Sequence, residues 1–212
     1  MTRLYRPVGL EELALIWDSG CREFPPRLPD QPIFYPVTSA GYATQIARDW
    51  NTKTGSHAGY VTSFEIDDAH LSRYDRHIVG SAVHEEYWIP AKELTEFNKA
   101  IRGEIDVQAG FFGAPFRGFS ADTAGFRGKN AEEQFVVLVR RWDYSRKDFS
   151  LEISVNRKAV YLNCLFWLAH NSMSSGINKP LKQRTLRGVM EVWEQRRMEP
   201  RLPAGFINAL RA

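Results

Sequence analysis

Residues 109–130 carry five glycines and five phenylalanines with no sustained helical or strand period. A flexible linker gains nothing from so many apolar rings, so this stretch reads as a packed irregular segment between two modules. It sets a boundary near residue 112 and gives modules 1–112 and 113–212, each of ordinary small-domain size. The charge follows the same division. Residues 1–112 hold 11 basic and 16 acidic side chains, and residues 113–212 hold 17 and 9. Opposite signs point to different jobs. A basic module raises the local concentration of polyanions such as RNA or DNA. A surface kept basic for solubility, or one that docks on an acidic protein, explains the charge equally well.

The apolar content, 43% of residues, suffices for a real core in each module. No run of about 18 apolar residues occurs, and no basic-then-apolar leader opens the chain. The expectation is a soluble, cytoplasmic protein with no membrane partner; delivery as an effector by a specialised secretion system leaves no such mark and stays open. Cys21 and Cys164 lie far apart with no Cys or His at ligand spacing, so buried free thiols are expected and no metal.

The first module reads as short strands around a few helices. Strands are expected at residues 4–8, 33–37, 59–66, 78–79, 86–89 and 105–107, with helices at 11–18, 40–50 and 91–100. A proline-rich loop covers residues 24–32, and Ser39 is placed to cap the second helix. In the second module, residues 135–142 and 149–155 read as a β-hairpin turning through 143–147, followed by helices at 157–170 and 181–198. The fold class is therefore α+β, with a basic module built from a β-hairpin plus helices.

The run His84-Glu85-Glu86-Tyr87-Trp88-Ile89-Pro90 stands out in the first module. Strands are normally poor in Glu, and here two carboxylates open an aromatic strand. A carboxylate fixed at such a place can hold a ribose hydroxyl or stabilise an oxocarbenium-like cation. An edge strand with solvated charges is the plainer alternative. No Gly-rich phosphate loop, GxSxG elbow or HExxH helix competes with it.

The order of parts, with Leu4-Tyr5-Arg6 on a first strand, Ile33-Phe34-Tyr35 before a helix, Tyr60-Val61-Thr62-Ser63-Phe64, then His84-x-Glu86-Tyr87-Trp88, resembles the ADP-ribosyltransferase superfamily. The likeness covers roughly residues 3–108. It implies a split mixed β-sheet with flanking helices that binds NAD as substrate and cleaves it at the nicotinamide–ribose bond. Carried over residue by residue, it implies Glu86 and His84 as catalytic groups. It implies Arg6 at the pyrophosphate or adenosine ribose, Tyr35 stacked on nicotinamide, Tyr5 and Trp88 as pocket walls, and Thr62 and Ser63 as braces for the Glu86 strand. Arg6 beside Pro7 also suits a surface cation, Tyr35 a core ring, and Thr62 and Ser63 ordinary strand positions. His84 stands where the arginine-modifying branch has an acidic or amide residue, which argues against arginine as the acceptor.

The expected activity is that of an NAD-dependent mono-ADP-ribosyltransferase, a glycosyltransferase using NAD, with RNA, DNA or a nucleotide as acceptor. A toxin or defence enzyme is the natural setting, which would bring an antitoxin or immunity protein as partner. An NAD hydrolase on the same fold, or a non-catalytic module binding nucleic acid or protein, are the alternatives.

Overall fold

The computed structural model describes residues 1–80, 84–170 and 176–212, and its α+β chain divides into two units, Met1–Ala114 and Pro115–Ala212. In the first, the elements run β1 (Thr2–Val8), α1 (Leu10–Asp18), β2 (Ile33–Phe34), α2 (Ala40–Asp49), β3 (Ala58–Ile66), α3 (Asp68–Leu71), β4 (Arg76–Ile78), β5 (Glu85–Tyr87), β6 (Ile89–Pro90), α4 (Leu94–Ala100) and β7 (Ile101–Phe112).

β3 is the centre of the main sheet, antiparallel to β1 on one side and β7 on the other. Being flanked and covered, it is buried at nearly every position, whereas β1 alternates from Leu4 onward. Pro7 does not cut β1, because the strand reaches Val8 opposite Tyr60. Val37 extends the sheet past β1: it exchanges both backbone hydrogen bonds with Tyr5 (2.9 and 2.8 Å) and also bridges Glu86. β5 in turn pairs with β4. Among the described residues every pairing between these strands is antiparallel, in place of the mixed sheet expected.

One face of the sheet carries the buried Leu4, Val8, Tyr60 and Phe64, and Phe64 packs into an aromatic cluster with Phe24, Phe34 and Phe97. The Asn98 amide pins the proline-rich loop to this core, donating to the Phe24 carbonyl (2.9 Å) and accepting from its N–H (3.0 Å). The other face carries α2, whose Tyr42, Ala43 and Ala47 pack on Val37 and Val61. Ser39 caps α2 as expected, accepting from the Tyr42 N–H. Gly59 lets the helix touch the strand: a Cβ there would sit 2.0 Å from the Ala47 carbonyl oxygen.

The second unit is helical: α5 (Ala131–Tyr144), α6 (Arg146–Val155), α7 (Arg157–Ala169), α8 (Lys179–Gln195) and α9 (Ala204–Arg211). The expected β-hairpin over 135–142 and 149–155 is absent, and α5 and α6 stand in its place. Phe135, Leu138 and Val139 are the buried stripe of a 3.6-residue period. Asn130 and Glu133 form a capping box at the start of α5, and Ser145 caps α6 through the Asp148 N–H. The Ser145 cap starts a helix inside the 143–147 stretch expected to form a turn. The β-branched run around Val136-Val137 favours a strand only weakly, and burial against α7 overrides it. α7 is buried from Ala159 to Trp167 and organises this unit. Its Asn163 amide donates to the Phe119 carbonyl (3.0 Å) and to Gln134 Oε1 (2.7 Å), and Trp167 donates to the Ala131 carbonyl (2.7 Å). Much of the Gly/Phe-rich stretch is irregular, with Phe116 and Phe126 buried, but its first four residues belong to β7. Among the described residues no helix is long and apolar enough to cross a membrane.

Candidate active site

The sheet register sorts the proposed site residues onto two faces. Asp106, Ser63, Tyr5, Val37, Glu86 and His77 are successive partners across the sheet, so their side chains share one face. Thr62 and Arg6 pair one step along and point to the opposite face. Along β5 and its flanks, His84, Glu86 and Trp88 recur at a spacing of two and share the Glu86 face.

Glu86 is buried, 9% exposed, as is Tyr42, whereas Trp88 and Tyr35 nearby are exposed. Its Oε1 accepts the Trp88 indole N–H at 2.7 Å. Trp88, 40% exposed, lies edge-on to Tyr35, 36% exposed, and stacks on His77 with ring centroids 4.1 Å apart. On the other side of Glu86, His84 stacks on Tyr42 at 4.2 Å, nearly parallel, and its Nε2 meets Gln45 Oε1 at 3.1 Å. Burial, and then the Glu86 charge, push the Tyr42 phenol above its ordinary value. The result is a recessed carboxylate with the exposed Tyr35 and Trp88 rings on one side and the Tyr42–His84 stack on the other, a surface suited to a flat heterocycle beside a developing positive charge.

Glu85 has a structural role. Its backbone carbonyl takes the Thr38 N–H (3.1 Å), while its carboxylate accepts from Thr38 Oγ1 (3.3 Å) and lies 3.5 Å from Arg76. It fastens β5 to its two neighbours.

Arg6 lies elsewhere. Its guanidinium is buried over the Phe34 ring, 4.5 Å from the centroid. It donates to Glu12 through Nε (2.9 Å) and to the Tyr35 carbonyl through Nη1 (3.1 Å). Arg27 shares the same carboxylate, with Nη1 3.7 Å from Glu12 Oε1. Burial first, and the Arg6 charge second, lower the Arg27 pKa from its ordinary value. Arg6 is therefore neither a surface cation nor an open guanidinium; it holds the backbone that carries Tyr35. Thr62 donates to the Arg6 carbonyl (2.8 Å) and so fixes β1 to β3. Ser63 accepts from Gln108 Nε2 (2.8 Å) and lies three strands, roughly 14 Å, from Glu86. Neither Thr62 nor Ser63 braces the Glu86 strand. Tyr5 is two strands from Glu86 and packs against the α2 cluster.

The sequence reading did not include Tyr42, Gln45 or His77 in the site. They come from α2 and β4: His77 lies directly opposite Glu86 in the β4–β5 pairing, whereas Tyr42 comes from α2, which packs on Val37 beside Glu86. Among the described residues no group of three or more His, Cys, Asp or Glu is placed to hold a metal ion. The chain matches no family model, no curated protein and no solved structure.

Proposed function

We propose that the protein is an NAD-dependent mono-ADP-ribosyltransferase of ADP-ribosyltransferase-like fold, with Glu86 as its catalytic carboxylate. The observation that carries this reading is a buried Glu86 set between the exposed rings of Tyr35 and Trp88 and the stacked Tyr42–His84 pair. The nicotinamide ring stacks on Tyr35 or Trp88, and Glu86 accepts a hydrogen bond from the ribose 2′-hydroxyl. The bond between the anomeric carbon and nicotinamide breaks, its electron pair leaves with nicotinamide, and positive charge develops on the ribose. The carboxylate stabilises that charge. An acceptor oxygen or nitrogen then bonds the anomeric carbon and releases its proton to Glu86 or solvent. Trp88 holds Glu86 in orientation, His84 flanks it, and Arg6 acts at one remove by fixing Tyr35.

The acceptor in this reading is a nucleic acid or nucleotide. The excess of basic side chains in residues 113–212 supports it, because the acidic first module alone attracts no polyanion. A cell carrying such an enzyme would need a cognate antitoxin or immunity protein.

NAD labelled in its adenine tests the reading. Incubated with the protein and RNA, DNA or a protein mixture, the label is expected to move to nucleic acid as nicotinamide is released. Free ADP-ribose as the sole product would assign hydrolysis instead. Neither consumption nor binding of NAD would overturn both.

A further inference from the structure

The second unit holds a cavity of about 650 Å³ lined by Arg127, Lys129, Arg140, Arg141 and Tyr144, with Gly125 at its floor. Its size lies in the range of small-ligand sites. Two parts of the chain build it. Arg140, Arg141 and Tyr144 fall at helical spacing on one face of α5, and Arg127 and Lys129 come from the segment leading into that helix. The floor is fixed from below by Glu152, which is 4% exposed. Its Oε1 accepts the Gly125 N–H (2.8 Å) and the Asn156 amide (2.8 Å). A Cβ on Gly125 would come within 2.9 Å of the Glu152 carboxylate and of a Val137 methyl, so a larger residue here would push those side chains aside.

The charge of the cavity is uneven. Arg141 faces Glu152 at 3.6 Å and is partly neutralised. Among the described residues Arg127, Lys129 and Arg140 form no ion pair, and Arg127 makes its bond to the Asp122 backbone carbonyl (2.9 Å) rather than to a carboxylate. Three cations around one concavity have a reason to stay close if an anion with several charges sits among them. Tyr144 supplies the second half of the argument. It is 83% exposed at the end of α5, a ring displayed to water beside that charge. Unpaired cations beside an exposed aromatic ring form the pattern that takes a nucleotide whose base is free to stack.

We propose that this cavity binds single-stranded nucleic acid, with Arg127, Lys129 and Arg140 on the phosphates and Tyr144 stacked on a base. A duplex keeps its bases stacked on one another and offers Tyr144 no face, and an acidic peptide offers it no base. The inference deepens the transferase reading by naming where its acceptor is held, and it rests on that reading only for this connection to the chemistry.

The test omits NAD, so its failure and the failure of the transferase reading are separate results. A fluorescent single-stranded RNA of about a dozen nucleotides is titrated with the full-length protein by anisotropy, at salt between about 50 and 200 mM. Three phosphate contacts predict that log K falls with log salt at a slope of roughly −2. Arg140→Ala should flatten that slope by about 0.7, and Tyr144→Ala should weaken binding about ten-fold with the slope unchanged. Arg187→Ala removes an exposed cation from α8 outside the cavity and should do less than Arg140→Ala. Absent or salt-independent binding overturns the proposal. So does an Arg187→Ala effect equal to that of Arg140→Ala, which would mean diffuse attraction to a basic surface. Equal affinity for a duplex of the same length, untouched by Tyr144→Ala, overturns it as well.

Discussion

Replacing Glu86 by glutamine is expected to slow NAD cleavage about 10²–10³-fold while leaving the melting temperature nearly unchanged. The two halves of that expectation have separate causes. Glu86 is buried, and its recorded hydrogen bond is one that a neutral amide can keep, since the Trp88 indole N–H can donate to a glutamine oxygen as well. The fold therefore loses little. What disappears is the negative charge beside the forming cation, and in a recessed site such a charge has few competing dipoles. Release of nicotinamide, followed at saturating NAD, reads the rate, and thermal unfolding reads the fold. Undiminished activity in this variant would move the catalytic centre elsewhere. A large loss of stability would instead make Glu86 a packing residue.

Glu12→Gln should produce the opposite pattern, a large loss of stability. Glu12 is the carboxylate between the buried Arg6 and the partly buried Arg27, with side-chain exposures of 21%, 8% and 11% for the three residues. Removing one partner of a buried ion pair leaves charge without compensation and typically costs about 3–5 kcal/mol. Here two guanidiniums would be left facing each other, but the partial exposure of Glu12 lets water offset some of the cost, which places it toward the lower end. For a domain of this size the melting temperature should fall on the order of 10 °C or more. The exposed Arg3–Glu65 pair provides the comparison. Solvent screens it, and Arg3→Ala should leave the melting temperature almost where it was. If Glu12→Gln shifts the transition no further than Arg3→Ala, the Arg6 cluster does not hold this part of the fold together. Since Arg6 also fixes the Tyr35 carbonyl, Glu12→Gln should loosen the aromatic wall beside Glu86 even where the protein stays folded.

Parts of this architecture can be read directly from local patterns. Ser39 before an amphipathic run marks α2, the Tyr60-to-Ile66 segment marks β3, and the two-residue spacing of His84, Glu86 and Trp88 puts them on one face of a strand. What is not local is hidden. Arg6 looks like a ligand-binding cation because nothing near it in sequence says that Phe34, Glu12 and Arg27 will surround it. Thr62 and Ser63 look alike on paper, and a one-residue step in register sends them to opposite faces. Tyr42 reaches the Glu86 face from α2 by way of Val37, and His77 reaches it through the β4–β5 pairing. The mistaken hairpin has another origin. Its signals were local and available, in the Asn130–Glu133 capping box and the 3.6-residue spacing of Phe135, Leu138 and Val139. The β-branched residues between them point toward a strand instead.

A structure of the Glu86→Gln protein bound to NAD tests the central claim most directly, because the slowed reaction leaves the dinucleotide intact. The account predicts a ribose hydroxyl within hydrogen-bonding distance of residue 86 and the nicotinamide ring against Tyr35 or Trp88. NAD on the Arg6–Thr62 face of the sheet or among residues 115–212, or no bound NAD at saturating concentration, would contradict it.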